Sequence, residues 1–112
     1  MMASDFQTTP TQSEILTAIR QVKPAFPGAR FILFGSRARG DVVRPDSDLD
    51  VYVVFPEAVT DPFEMIYQIR TALHAKLDLA LDVLVADRAR FEQRAMVSST
   101  LEHTVRLEGL TV

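Results

Sequence analysis

The chain has 112 residues, 47% hydrophobic and 24% charged, with a formal net charge of -3 and no cysteine. That length supplies one compact domain with a hydrophobic core and leaves no room for a second. A net negative charge offers no basic footprint for sequence-independent nucleic-acid binding, so a nucleic-acid partner is not expected, and the lack of cysteine excludes disulfides, thiolate metal sites and a cysteine nucleophile.

Residues 1–11 are polar, with Thr8, Thr9, Pro10 and Thr11 in a row, and read as a flexible lead-in to a domain over 12–112. The first ten residues lack the basic start and apolar run of a signal peptide, and no segment is apolar for long enough to cross a bilayer. The expectation is a cytoplasmic protein with no membrane partner.

From Thr11 the apolar residues Ile15, Leu16, Ile19 and Val22 recur at helical intervals, with Thr11 or Ser13 as cap, until Pro24 and Pro27-Gly28 end the pattern. The run Phe31-Ile32-Leu33-Phe34 between Gly28 and Gly35 predicts a buried strand. Gly35 to Gly40 has room for at most one helical turn, and 41–47, with Pro45, is loop. Residues 48–55 alternate, with Leu49, Val51, Val53 and Phe55 on one side and Asp48, Asp50, Tyr52 and Val54 on the other, which predicts a second strand.

Thr60 or Asp61, with Pro62 at the first helical position, opens a helix whose stripe is Phe63, Ile66, Ile69, Leu73 and Leu77 and which ends near Lys76. Residues 79–86 predict a third strand with Asp82 and Leu84 on the side opposite Leu81, Val83 and Val85. Asp87 caps a helix to about Met96, and a last helix runs from Ser98 or Ser99 to Leu107 before Gly109. Strands interleaved with helices in the order α-β-β-α-β-α-α imply an α/β fold, a small mixed β-sheet flanked by helices.

The stretch that carries chemistry is Gly35-Ser36 followed, after the eleven residues 37–47, by Asp48-Leu49-Asp50. Two carboxylates at i and i+2 of a strand share a face, repel each other and raise each other's pKa, an arrangement a cation relieves. Oxygen ligands with no histidine or cysteine beside them favour Mg²⁺, with Mn²⁺ as substitute, and Mg²⁺ completes its shell with substrate phosphates. Gly35 lets a backbone approach phosphate closely, the Ser36 hydroxyl and turn N–H groups can bind its oxygens, and Arg37 and Arg39 stand beside them.

Bland readings stand beside these. A lone Gly-Ser is more often a turn, and a lone Asp-x-Asp a solvated strand face; the conjunction reverses the odds. Arg37, Arg39 and Arg44 are also placed to pair with Asp41 or Asp46. Asp82 is preferred to Asp78 as a third carboxylate because it lies inside a β-branched run, where an unpartnered charge is costly. Tyr52 reads as a packed aromatic, and His74 and His103 are assigned no role.

Phe34-Gly35-Ser36-Arg37-Ala38-Arg39-Gly40 with Ser47-Asp48-Leu49-Asp50-Val51 and Leu81-Asp82-Val83-Leu84-Val85 resembles the signature of the minimal nucleotidyltransferase (MNT) proteins of the DNA polymerase beta superfamily, over roughly residues 12–108. The resemblance implies a polymerase-beta-like fold. It also implies a two-metal site in which Asp48 and Asp50 coordinate both ions and Asp82 holds the catalytic one, with Gly35 and Ser36 on the β and γ phosphates of ATP. It further implies attack on the α-phosphorus by a hydroxyl, release of pyrophosphate, and a HEPN-type partner protein that carries the acceptor, in some members a tyrosine. A partner that completes the site accords with this sequence having no extra helical domain of the kind larger members use. The competing expectation is a noncatalytic antitoxin that neutralises its partner by binding; a weaker third is a nucleotide sensor. Apolar helix faces leave a homodimer open.

Overall fold

In the computed structural model, which describes residues 9–39 and 47–112, the first ordered decision of the chain is a cap. The Thr11 hydroxyl accepts the Glu14 N–H at 3.1 Å and the Glu14 carboxylate accepts the Thr11 N–H at 2.8 Å, so two otherwise orphaned donors are satisfied together. Helix α1 (Gln12–Val22) follows and buries Ile15, Ala18, Ile19 and Val22. A single 3₁₀ turn, Lys23–Ala25, carries the chain to strand β1 (Arg30–Phe34). Most of the expected lead-in, residues 1–8, the end of the expected turn, Gly40, and most of the expected loop, residues 41–46, lie outside the described residues.

Beyond β1 the chain makes the one-turn helix α2 (Ser36–Arg39), then strand β2 (Leu49–Phe55), helix α3 (Pro62–His74) and strand β3 (Leu81–Asp87). Helices α4 (Arg88–Ala95) and α5 (Leu101–Glu108) and a two-residue strand β4 (Leu110–Thr111) complete it. Asp61 and Asp87 cap α3 and α4 through the N–H groups of Glu64 at 3.1 Å and Arg90 at 2.8 Å. The cap of α5 is Thr100, neither Ser98 nor Ser99. Its hydroxyl accepts the His103 N–H at 3.1 Å and lies 2.7 and 2.9 Å from the carbonyls of Arg94 and Val97, so one side chain serves the end of α4 and the start of α5.

The sheet has the order β3-β2-β1-β4 and is mixed. β1 pairs antiparallel with β2 and with β4, while β2 and β3 run parallel, with α3 forming the crossover that a parallel connection requires. Strand β4 escaped the sequence reading because two residues carry no period; its place is fixed by pairing of Leu110 with Leu33 and Thr111 with Ile32. Among the described residues no helix is long and apolar enough to cross a membrane.

Alternation along β2 divides the interior between two faces of the sheet. Leu49, Val51, Val53 and Phe55 join Phe31, Leu33, Leu81 and Val83 beneath α1 and α3. Tyr52 and Val54 join Ile32, Phe34 and Ala86 beneath Phe91, Ala95 and Val105 of α4 and α5. Each fully buried aliphatic side chain contributes about 1.5–3 kcal/mol, so both layers are needed to offset chain entropy in so small a domain. The α3 stripe differs from expectation at one end. Ile69 and Leu73 are buried but Phe63 is 86% exposed, on a face it shares with exposed Tyr67 one turn on, at the margin of the core-facing arc.

Candidate active site

Gly35 ends β1 with φ +78, the left-handed region in which a side chain is strained, and turns the chain directly into α2. The Gly35 carbonyl accepts the N–H groups of Ala38 at 3.1 Å and Arg39 at 3.2 Å, closing the turn. Its lack of a Cβ is also required by what faces it, since an added methyl carbon would collide with Oδ2 of Asp50. Gln12 on α1 braces the same turn from outside, its amide donating to the carbonyls of Arg37 and Ala38, both at 3.3 Å. These are end carbonyls of α2, so the bond satisfies acceptors the short helix cannot.

The acids are set by sheet register. Phe34 pairs with Asp50 across β1 and β2, and Asp50 pairs with Asp82 across β2 and β3. Asp50 and Asp82 therefore sit side by side at the strand spacing of about 4.8 Å. Both lie at the β2 and β3 starts on the face that carries Tyr52 and Leu84, beyond the cover of α4 and α5. Asp48, exposed, stands just ahead of β2. Asp50 is half-buried, and its carboxyl pKa is raised, first by burial and then by the charges of Asp82 and Asp48.

Asp82 and Asp48 therefore each act electrostatically on Asp50. Even so, among the described residues no three acidic or histidine side chains converge on a ready-made metal cage. The two observations agree if the acids share a corner without closing on one point. The donor set fits hard divalent cations, being oxygen-only, partly open to solvent and destabilised by its own charge, and such cations take their remaining ligands from water and phosphate.

Of the other expected residues, Ser36 is half-buried at the first position of α2, directly after Gly35. Arg37 is turned inward, only 5% exposed, and its Nε and Nη2 donate to the Ser47 carbonyl at 3.3 and 2.9 Å. It thus ties the Gly-Ser turn to the residue preceding Asp48. Arg39 is exposed, with Nη1 3.8 Å from the Glu108 carboxylate at the end of α5. Asp41, Arg44 and Asp46, the alternative partners for these arginines, lie outside the described residues.

Two supporting residues were not legible beforehand. Gln12 is one, an ordinary first-turn residue by sequence. The other is Glu102, 7% exposed, whose Oε2 accepts the Tyr52 hydroxyl at 2.8 Å while Arg94 Nε lies 3.1 Å from Oε1. The Arg94 contact is ionic but poorly directed, so Oε1 has no hydrogen-bond donor among the described residues. Burial pushes the Glu102 carboxyl up, but the Tyr52 hydroxyl, a backbone donor and Arg94 outweigh it and the pKa is lowered; burial and the Glu102 bond raise that of Tyr52.

None of the curated proteins is similar enough in sequence to match the chain. Among solved structures, a protein of Sulfolobus solfataricus provisionally classed as a nucleotidyltransferase shares the fold with a TM-score of 0.52 and 25% identity. That match covers 74% of this chain and 72% of the other. The sequence profile described as Nucleotidyltransferase domain matches residues 13–107, a span that takes in the Gly-Ser turn and all three acids. On that match over most of its length, the chain belongs to the nucleotidyltransferase domain family.

Proposed function

We propose that the protein transfers AMP from ATP to a hydroxyl acceptor, with Asp48, Asp50 and Asp82 as the ligands of two Mg²⁺ ions. The observation that carries this reading is the row Gly35, Asp50, Asp82, which sets a backbone able to approach phosphate beside two paired carboxylates. The bound cations would neutralise the acids and the triphosphate and stabilise charge on the departing group.

The protein's own part is placement. Gly35 and Ser36 receive the β and γ phosphates through backbone N–H groups and the serine hydroxyl, with Arg37 holding the turn and Arg39 at its rim. The acceptor oxygen bonds to the α-phosphorus as the bond from that phosphorus to the bridging oxygen breaks. Pyrophosphate leaves, and the hydroxyl proton passes to solvent by way of the Asp82 carboxylate. The acceptor in this reading belongs to a HEPN-type partner protein and is a tyrosine.

A second reading, a noncatalytic module that neutralises the partner by binding, is favoured by the acids' failure to close on one point. One experiment separates the two. Purified protein is incubated with Mg²⁺, labelled ATP and the product of the neighbouring gene. Transfer of label that Asp48→Asn abolishes supports catalysis; neutralisation of the partner without label, unchanged in Asp48→Asn, supports binding alone.

A further inference from the structure

β3 is the outermost strand on its side of the sheet, paired with β2 over seven residues without a bulge, from Leu49 with Leu81 to Phe55 with Asp87. Among the described residues no strand lies on its other side. The Leu49 N–H donates to the Ala80 carbonyl at 2.9 Å. In a parallel ladder that phase turns the backbone groups of Asp82, Leu84 and Ala86 toward β2, and it leaves the N–H and C=O of Leu81, Val83 and Val85 facing outward. Exposed edges are ordinarily blunted by lysine, proline, a bulge or a very short strand. From Asp78 to Asp87 there is no lysine, arginine or proline. The opposite edge, β4, has only two residues.

We propose that the outer edge of β3 takes up the acceptor as an extended polypeptide segment, which adds as a fifth, antiparallel strand with a hydroxyl-bearing residue opposite Asp82. The proposal rests on the nucleotidyl-transfer reading and names the class of its acceptor. In that register Leu81 and Val83 exchange backbone bonds with the segment, and the residue facing Asp82 falls at a non-hydrogen-bonded position. There, cross-strand side chains approach most closely and share a face. The face is that of Asp50 and Asp82, so the hydroxyl oxygen arrives beside the acids with no adjustment of the sheet. Charge selects the occupant further: Asp78, Asp82 and Asp87 line this stretch without a cation among them, which disfavours a nucleic-acid strand and favours a segment with basic flanks. The transfer itself is that written above, with the segment's hydroxyl oxygen as nucleophile, pyrophosphate as leaving group and the proton released to solvent.

The test uses nine-residue peptides with arginine at both ends, alternating valine and glutamine so that no other hydroxyl is present, and Ser, Tyr or Ala at the centre. The protein is labelled for NMR and its backbone amides are followed with and without peptide. Expected are shifts and slowed exchange at Leu81, Val83 and Val85, with Asp82, Leu84 and Ala86 little changed, and AMP transfer to the Ser or Tyr peptide but not to the Ala peptide. Val85→Pro, which deletes an outward N–H and no bond to β2, should lower transfer to peptide at least tenfold while calorimetric uptake of Mn²⁺ and a nonhydrolysable ATP analogue is unchanged. No response of the three amides to any peptide overturns the proposal, as does transfer at the wild-type rate by Val85→Pro. Protection that appears without peptide and rises with protein concentration, with sedimentation at twice the monomer mass, assigns the edge to a second copy and also overturns it. Peptide bound at the edge without label transfer overturns the acceptor role. Failure of the nucleotidyl-transfer reading shows separately, as no uptake of Mn²⁺ with the analogue.

Discussion

The Asp50 carboxylate occupies the space that a side chain on Gly35 would need, so the end of β1 and the start of β2 fit together only with glycine at that corner. Gly35→Ala would force either the φ of +78 or the carboxylate to give way. The expected cost is about 1–3 kcal/mol in stability and a fall in AMP transfer of more than tenfold, read by denaturant unfolding and by label transfer. A variant as stable and active as the parent would remove the phosphate-side half of the site.

Asp50→Asn should have opposite effects on stability and on activity. The raised pKa of Asp50 means that its ionised form is disfavoured in the fold, first by burial and then by Asp82 and Asp48. Its contribution is therefore fully present below the ordinary value of 3.8 and is lost as pH rises through the folded value. At neutral pH the neutral amide should raise the melting temperature in the presence of a chelator, while the response to added Mn²⁺ shrinks and transfer is abolished. A lower melting temperature in the chelator would contradict the repulsion argument.

Tyr52→Phe removes the donor to Glu102 and leaves a buried carboxylate with a poorly aimed arginine. A loss of about 1–3 kcal/mol is expected. Because the Glu102 pKa is lowered, its contribution is present above the unfolded value of 4.5 and is lost as pH falls through the folded one. The difference between parent and variant should accordingly be full at neutral pH and narrow only once the pH falls below 4.5, measured by chemical denaturation down through that range.

Arg37→Lys tests whether the buried guanidinium serves as a brace. Lysine keeps the charge but cannot offer both donors to Ser47 from one planar group. Stability should fall by about 1–2 kcal/mol, and KM for ATP should rise with a smaller change in kcat, since the turn is loosened while the acids stay in place. A change confined to kcat would place Arg37 on the reacting phosphate instead.

How much was legible follows from which signals were local. Helices α1, α3 and α4 and strands β1, β2 and β3 announced themselves through period and caps, because Ile15, Ile19 and Val22, or Leu49, Val51 and Val53, are sorted by a single face. Gly35, Asp50 and Asp82 were legible as residue types, and register then put them in one row. Phe63 defeated the stripe reading, since it stands at the margin of the apolar arc, where period alone does not decide burial. Glu102 and Gln12 were invisible for a related reason: their partners, Tyr52 and the Arg37 and Ala38 carbonyls, stand far off in sequence, and only the tertiary fold introduces them.

The parallel pairing of β2 with β3 has a kinetic corollary. Gly35 follows β1 while Asp50 and Asp82 sit on β2 and β3, and the last of these arrives only after the whole α3 excursion has been closed, the slow kind of contact in a small domain. On the proposed function, a chain whose antiparallel β1–β2 pair had already zipped, but whose third strand was still adrift, would present one acid too few to gather a triphosphate. Nucleotide capture would then serve as a stopwatch for the last stage of maturation, lagging behind the appearance of secondary structure by the time β3 takes to dock.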